Sequence, residues 1–259
     1  MSRIRKILIT GANGMIGRDL AGFLRDRYQI RLTDIEPPET DLDFVQADLA
    51  NLDEMERACE GMDAVIHLGA ASWEYDYESV MVPSNLIGVR QVFEAAHRCG
   101  VQRVLLASTF HTIGLHHKDG RRALTEETEL RPDTVYAATK IYGEALGRWY
   151  AETQNLPVIC LRIGFYQNTE RIRAGITPSK AGLLLSPRDF AQMVQLSLDA
   201  DPITFEIFHV TSNPLAPWIS IEKAKQQLGY QPLDTVETLF GPNAEASLPA
   251  ENWSWLGKK

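Results

Sequence analysis

Among eight tyrosines, only Tyr136 has a lysine four positions on, in Tyr136-Ala137-Ala138-Thr139-Lys140. On a helix that spacing puts both side chains on one face. A phenol is a poor base at neutral pH, because its pKa is about 10. An ammonium beside it favours the phenolate, which can then take the proton from a hydroxyl. A further hydroxyl would orient that substrate oxygen. Ala107-Ser108-Thr109 ends an apolar run and offers two, so Ser108 and Thr109 compete for the role. Asn85 is a polar residue among Leu86, Ile87 and Val89. It can hold a water or a backbone carbonyl near the lysine as part of a proton relay.

A second motif offers a site for the group that would take the hydride. Thr10-Gly11-Ala12-Asn13-Gly14-Met15-Ile16-Gly17 is a GxxGxxG turn between an apolar run and a helical pattern. Gly11 permits a tight turn, Gly14 lets the backbone approach a pyrophosphate, and Gly17 lets helix and strand pack closely. The helix N-terminus then presents free N–H groups to the phosphates. Asp34 follows Gly11 by about 20 residues, where an acid accepts hydrogen bonds from a ribose 2′-hydroxyl and repels a 2′-phosphate. With Ile35 next to it rather than an arginine, the cofactor expected is NAD rather than NADP. Asp48 and Leu49 can flank the adenine. An oxidised nicotinamide would further favour the phenolate of Tyr136, and Lys140 can hydrogen-bond its ribose.

These residues need a scaffold that brings them to one edge. Apolar runs at Ile4–Ile9, Ile30–Thr33, Phe44–Ala47, Ala64–Leu68, Arg103–Ala107 and Pro157–Ile163 read as strands. Helical patterns at Met15–Tyr28, Asn51–Glu60, Ser84–Ala96 and Thr134–Thr153 alternate with them. The alternation predicts an α/β fold, a doubly wound parallel (Rossmann) sheet with ligands at the carboxyl ends of the strands. Residues 1–164 would form the NAD-binding domain and carry the catalytic groups. Residues 165–259 would form a small substrate-binding cap integrated with it. In that part Tyr166–Gly182 reads as a polar loop over the site, with Arg171, Arg173 and Lys180. A helix Pro187–Leu198, a strand Phe205–Val210 and a helix Ile219–Leu228 follow.

Composition narrows the class. The chain has 259 residues, 44% of them hydrophobic, and a net charge of −8. That supports a full globular core and argues against a general nucleic-acid binder. Cys59, Cys99 and Cys160 lack disulfide or metal-site spacing and read as reduced thiols in a cytoplasmic protein. No signal peptide, membrane span or metal site is expected. His116-His117 reads as a solvated loop, Trp73–Glu78 as an aromatic cluster near the ligand edge, and Trp253 and Trp255 as docked near the C-terminus.

Together these residues resemble the short-chain dehydrogenase/reductase superfamily in its extended, epimerase/dehydratase branch. The marks are Thr10–Gly17, Asp34, Asp48-Leu49, His67-Leu68-Gly69-Ala70-Ala71, Asn85, Ser108-Thr109, Tyr136/Lys140 and Arg162-Ile163-Gly164. The resemblance implies cofactor contacts from Asn13, Met15, Ile16, Leu68, Gly69, Ala70 and Ile163, and a homo-oligomer. A closer resemblance is to uronate dehydrogenases, which oxidise the C1 hemiacetal of a uronate with NAD. It is carried by His67–Ser72, Asn85–Gly88, Ala107–Gly114 and Ser186–Phe190. It implies that Ser72, Thr109 and His111 face a small sugar-like substrate, with Thr109 in place of the catalytic serine. Phe110 and Phe165 stand at two further substrate positions, where those enzymes carry polar residues. The alternatives within the same fold are a nucleotide-sugar epimerase or dehydratase, and an NAD-binding protein without turnover.

Overall fold

The computed structural model describes residues 4–72, 76–174, 181–212 and 217–242. In chain order the elements begin with β1 (Lys6–Thr10), α1 (Met15–Leu24), β2 (Gln29–Asp34), β3 (Asp43–Gln46), α2 (Leu52–Cys59) and β4 (Ala64–His67). A π-helical segment (Tyr77–Gly88) leads into α3 (Val89–Arg98), then β5 (Arg103–Thr109), a 3₁₀ turn (Phe110–Ile113), α4 (Leu115–Lys118), α5 (Val135–Thr153) and β6 (Val158–Ile163). The rest is β7 (Phe165–Tyr166), α6 (Thr169–Arg173), β8 (Leu184–Leu185), α7 (Pro187–Asp199), β9 (Phe205–Val210), α8 (Glu222–Leu228) and α9 (Val236–Phe240).

Seven strands form one parallel sheet in the order β3-β2-β1-β4-β5-β6-β9. Its central strands are buried on both faces, as a parallel sheet covered by helices requires: all of β4, β5 and β6 is buried. One apolar layer lies under α1 and α7, the other under α2, α3 and α5. The chain winds outward from β1 through β2 and β3, then returns to the other side of β1 with β4. Strand order therefore reverses between β1 and β4, which opens a crevice at their carboxyl ends. Residues 187–210, on the cap side of position 164, supply α7 and β9 of this sheet.

Local chemistry sets the helix starts. Asn51, Thr134 and Ser186 cap α2, α5 and α7 by accepting from Glu54, Ala137 and Asp189 N–H, and Pro187 takes the first position of α7. One expected helix differs. Ser84 does not cap a helix to Ala96; the coil starts at Tyr77 behind an Asp76 cap and runs as a π-helix. Pro83 inside it has no N–H to give to an α-ladder. The hydroxyl of Ser84 instead donates to Val80 O and Asn85 Oδ1. The expected loop Tyr166–Gly182 begins with β7, which pairs with β8 and is followed by α6. Among the described residues, no helix is long and apolar enough to cross a membrane.

Candidate active site

A cleft of about 500 Å³ opens where the strand order reverses. Gly11 and Gly14 form its floor, Asp34 and Ile35 one end, Asp48 and Leu49 a side, and Leu68, Gly69 and Ala70 the opposite wall, with Ser72 beyond. Ser79, Val80, Pro83 and Ser84 of the π-helical segment complete it, residues that helical periodicity alone does not single out. Gly11 has φ +69°, and a Cβ there would lie 2.6 Å from Gly69 N. A Cβ on Gly17 would lie 2.5 Å from Gly11 O, so α1 sits hard against the turn. Asn13, Met15, Ile16 and Ile163 are not in the cleft wall. Asn13 N–H donates to Asp34 Oδ2 at 2.9 Å, and its side chain donates to Glu36 O. Met15 is half-exposed on the first turn of α1, while Ile16 and Ile163 join the core. A second backbone N–H, of Ile35, donates to Asp34 Oδ1 at 2.8 Å. This glycine-floored cradle at a helix N-terminus, with an aligned carboxylate at one end, fits an NAD molecule.

A hydroxyl and an imidazole tie the two walls together. Gly69 N–H donates to Thr10 Oγ1 at 3.2 Å, and Thr10 Oγ1 lies 2.7 Å from His67 Nδ1. Burial and the charge of Lys140 pull the His67 pKa down to about 3, so the ring that shares this hydrogen bond is neutral.

The candidate chemical groups lie on α5, at the end of β5 and in the π-helical segment. Lys140 is 6% exposed, and its Nζ donates to Ala107 O at 2.9 Å and lies 5.6 Å from the Tyr136 ring centroid. Burial pulls the lysine down to about 8, against the fields of Cys160 and Glu144. Burial pushes the Tyr136 phenol up. Asn85 Nδ2 donates to Ala71 O at 3.0 Å and to Thr139 Oγ1 at 3.1 Å, and its Oδ1 accepts from Ala71 N–H at 2.8 Å. Asn85 thus holds a backbone carbonyl and fastens the segment after β4 to the residue preceding Lys140.

Strand alternation turns the two candidate hydroxyls to opposite faces. Ser108 turns toward α5 and donates to Glu144 Oε1 at 2.5 Å, so its proton is engaged within the protein. Thr109, one residue on, accepts from His111 N–H at 3.3 Å. Phe110 sits in the core. It is 2% exposed in an apolar cluster with Ile113, Leu124, Leu183, Trp218 and Ile219, and Phe165 packs on the same cluster. Burying an aromatic ring there is worth about 2 kcal/mol, which outweighs presenting it to a polar ligand.

His111 has a partner that sequence reading missed. Its Nδ1 lies 3.0 Å from both oxygens of Asp133, whose side chain is fully buried. Gly114 makes the room, since a Cβ there would sit 1.9 Å from Asp133 Oδ2. The available signal was an acid directly before the Thr134 cap of the tyrosine helix. His116 and His117 are buried rather than solvated. His116 Nε2 donates to Glu129 O at 2.9 Å, its Nδ1 accepts from Arg121 at 2.9 Å, and His117 packs on Trp218. Of the candidate anion binders, Arg171 donates through Nε to Gln167 Oε1 at 3.0 Å. The Arg173 side chain and Lys180 lie outside the described residues, as do Trp73, Trp253 and Trp255. Among the described residues no cluster could hold a metal ion.

Comparison with known proteins agrees with this geometry. The family model "NAD dependent epimerase/dehydratase family" matches residues 7–165. A uronate dehydrogenase of Pseudomonas putida is 32% identical over 241 residues, covering 90% of this chain and 85% of that protein. An NAD-dependent glucose-6-phosphate dehydrogenase of Haloferax volcanii is 31% identical, covering 88% of this chain and 93% of that one. Among solved structures, a glucuronic acid dehydrogenase from Chromohalobacter salexigens superposes with a TM-score of 0.84 at 25% identity, covering 96% and 91% of the two chains.

Proposed function

The chain belongs to the NAD dependent epimerase/dehydratase family, and on that basis we propose that it is an NAD-dependent dehydrogenase oxidising a hydroxyl, the C1 hemiacetal hydroxyl in the first instance, of a small sugar-like substrate. The carrying observation is a convergence. Lys140 Nζ lies 5.6 Å from the Tyr136 ring centroid and donates to Ala107 O, two residues before Thr109 at the carboxyl end of β5, while the glycine turn and Asp34, at the same ends of β1 and β2, line the cleft. The uronate and glucose-6-phosphate dehydrogenases that this chain resembles support the sugar class.

Gly11, Gly14 and the N-terminus of α1 would hold the pyrophosphate, and Asp34 the adenosine ribose. Bound NAD supplies the hydride acceptor. Thr109 donates to the substrate oxygen and orients it, and the Tyr136 phenolate accepts the hydroxyl proton. Lys140 stabilises that phenolate by its charge and can reach the nicotinamide ribose. His111, fixed by Asp133, and Ser72 stand at the substrate end. Alignment and electrostatics are the protein's share of the reaction.

The test is NADH formation with glucuronate, galacturonate, arabinose and glucose 6-phosphate. Stoichiometric NADH with one of them supports the reading. Conversion of a nucleotide sugar without net NADH would replace it by epimerase chemistry.

The same reading includes a cytoplasmic homo-oligomer. It is supported by three free cysteines, by Tyr142 and Trp149 exposed seven residues apart on one face of α5, and by exposed Ile87 before α3. Sedimentation at micromolar protein checks it, and a monomer there refutes that part.

A further inference from the structure

Tyr136, Lys140 and Glu144 recur at every fourth residue of α5, a stripe facing β5 and β6. The first two have chemical roles in the reading above and the third has none. Glu144 is 4% exposed. Arg162 Nε and Nη2 donate to its two oxygens, each at 2.8 Å, and Ser108 donates to Oε1 at 2.5 Å. Ser108 and Arg162 are cross-strand neighbours in the β5–β6 ladder. Helix α5 therefore grips β5 at two consecutive residues: Lys140 takes the carbonyl of Ala107, and Glu144 takes the hydroxyl of Ser108. The next residue is Thr109. A buried ion pair is a weak source of stability, because an apolar pair of similar volume often serves as well or better. Stability alone thus does not account for Glu144 and Arg162 at this point in the sheet.

We propose that Glu144 is a positioning residue: braced by Arg162, it holds the end of β5 through Ser108, so that Thr109 meets the substrate oxygen within reach of Tyr136. The inference rests on the dehydrogenase reading. The electrostatics run the same way. Burial draws Lys140 down to about 8, and Glu144, with Cys160, acts against that fall.

Two variants test it, with glucuronate and NAD as probes and the other sugars of the panel in reserve. Ser108→Ala cuts the link and leaves the ion pair intact. Its kcat falls about tenfold, the worth of one charge-assisted hydrogen bond, while the KM for NAD stays within about twofold. Amide hydrogen exchange at residues 109–113 speeds about tenfold, with the β1–β4 amides unchanged. Glu144→Gln combined with Arg162→Met removes both charges, so neither is left buried alone. There the alkaline limb of kcat against pH moves about one unit to lower pH, because Lys140 loses its proton sooner. A uniform loss of kcat with no shift of that limb and no change in exchange marks a purely structural role and overturns the proposal. So do wild-type values in both variants. Absence of NADH from the wild-type protein on every sugar would defeat the dehydrogenase reading instead. The exchange measurement judges the clamp in that case as well.

Discussion

Gly11→Ala tests whether the cleft is a cofactor cradle. The backbone at Gly11 has φ +69°, a region that costs an alanine roughly 1 kcal/mol. The new Cβ would stand 2.6 Å from Gly69 N and 2.7 Å from Gly69 Cα. Both are backbone atoms, so no rotamer relieves the clash, and the walls after β1 and β4 must part by about 1 Å to reach ordinary contact. That movement strains the bonds from Gly69 to Thr10 and from Thr10 to His67, each worth about 1 kcal/mol. The sum is about 3 kcal/mol of stability. The same displacement withdraws two backbone donors from the phosphates, which raises the NAD dissociation constant about a hundredfold. Urea unfolding of the free protein and calorimetric titration with NAD read the two effects separately. Gly22→Ala is the control, because nothing lies within 4 Å of a Cβ there. It sits inside α1 and stabilises by about 0.5–1 kcal/mol. A Gly11→Ala protein that binds NAD within about threefold of wild type would refute the cradle.

Three further outcomes are expected. Tyr136→Phe keeps its NAD affinity and loses about a thousandfold in kcat; turnover near wild type in a rapid-mixing assay removes Tyr136 as the base. Gly114→Ala drives Asp133 off His111, since the added carbon would lie 1.9 Å from its oxygen. kcat/KM for the sugar falls about tenfold to a hundredfold with NAD binding intact, and an unchanged kcat/KM takes the pair out of the site. The third concerns pH and stability. His67 and His209 are both buried and both pulled down to about 3. The unfolded chain therefore binds more protons than the folded one between about pH 6.5 and 3, and stability is full above that window and falls as pH drops through it. From pH 6.5 to 5 the two histidines together remove about 3 kcal/mol. Denaturant midpoints across that range check the loss, and a flat response contradicts the neutral burial of both rings.

What the sequence makes legible divides by distance along the chain. The strand Phe205–Val210 is readable from its own residues and occupies those bounds. Its place beside β6 is not, because the pairing joins segments more than forty residues apart. Central strands announce themselves as continuous apolar runs, and caps such as Asn51 and Thr134 act within one turn. The π-helical segment escapes a reading by period, since Pro83 and the wider turn break the 3.6-residue spacing on which such a reading depends.

The site divides in the same way. Gly11, Gly14, Asp34, Tyr136 and Lys140 belong to local patterns whose chemistry follows from spacing, and the structure brings them to one edge. Their supports are set through space. Asp133 reaches His111 across 22 residues, and Arg162 reaches Glu144 across 18. Strand alternation says that Ser108 and Thr109 face opposite ways, but which of them faces the cleft depends on how α5 lies over β5. The contact on Ser108 comes from Glu144, 36 residues away. Phe110 follows the same rule, since its ring is claimed by Leu124, Leu183 and Trp218 from three other segments. A motif therefore identifies the group that does the chemistry, and packing between distant segments decides which neighbour stands with it. Ser108 and Phe110, on either side of Thr109, are both held this way, because segments distant in the chain converge on the end of β5.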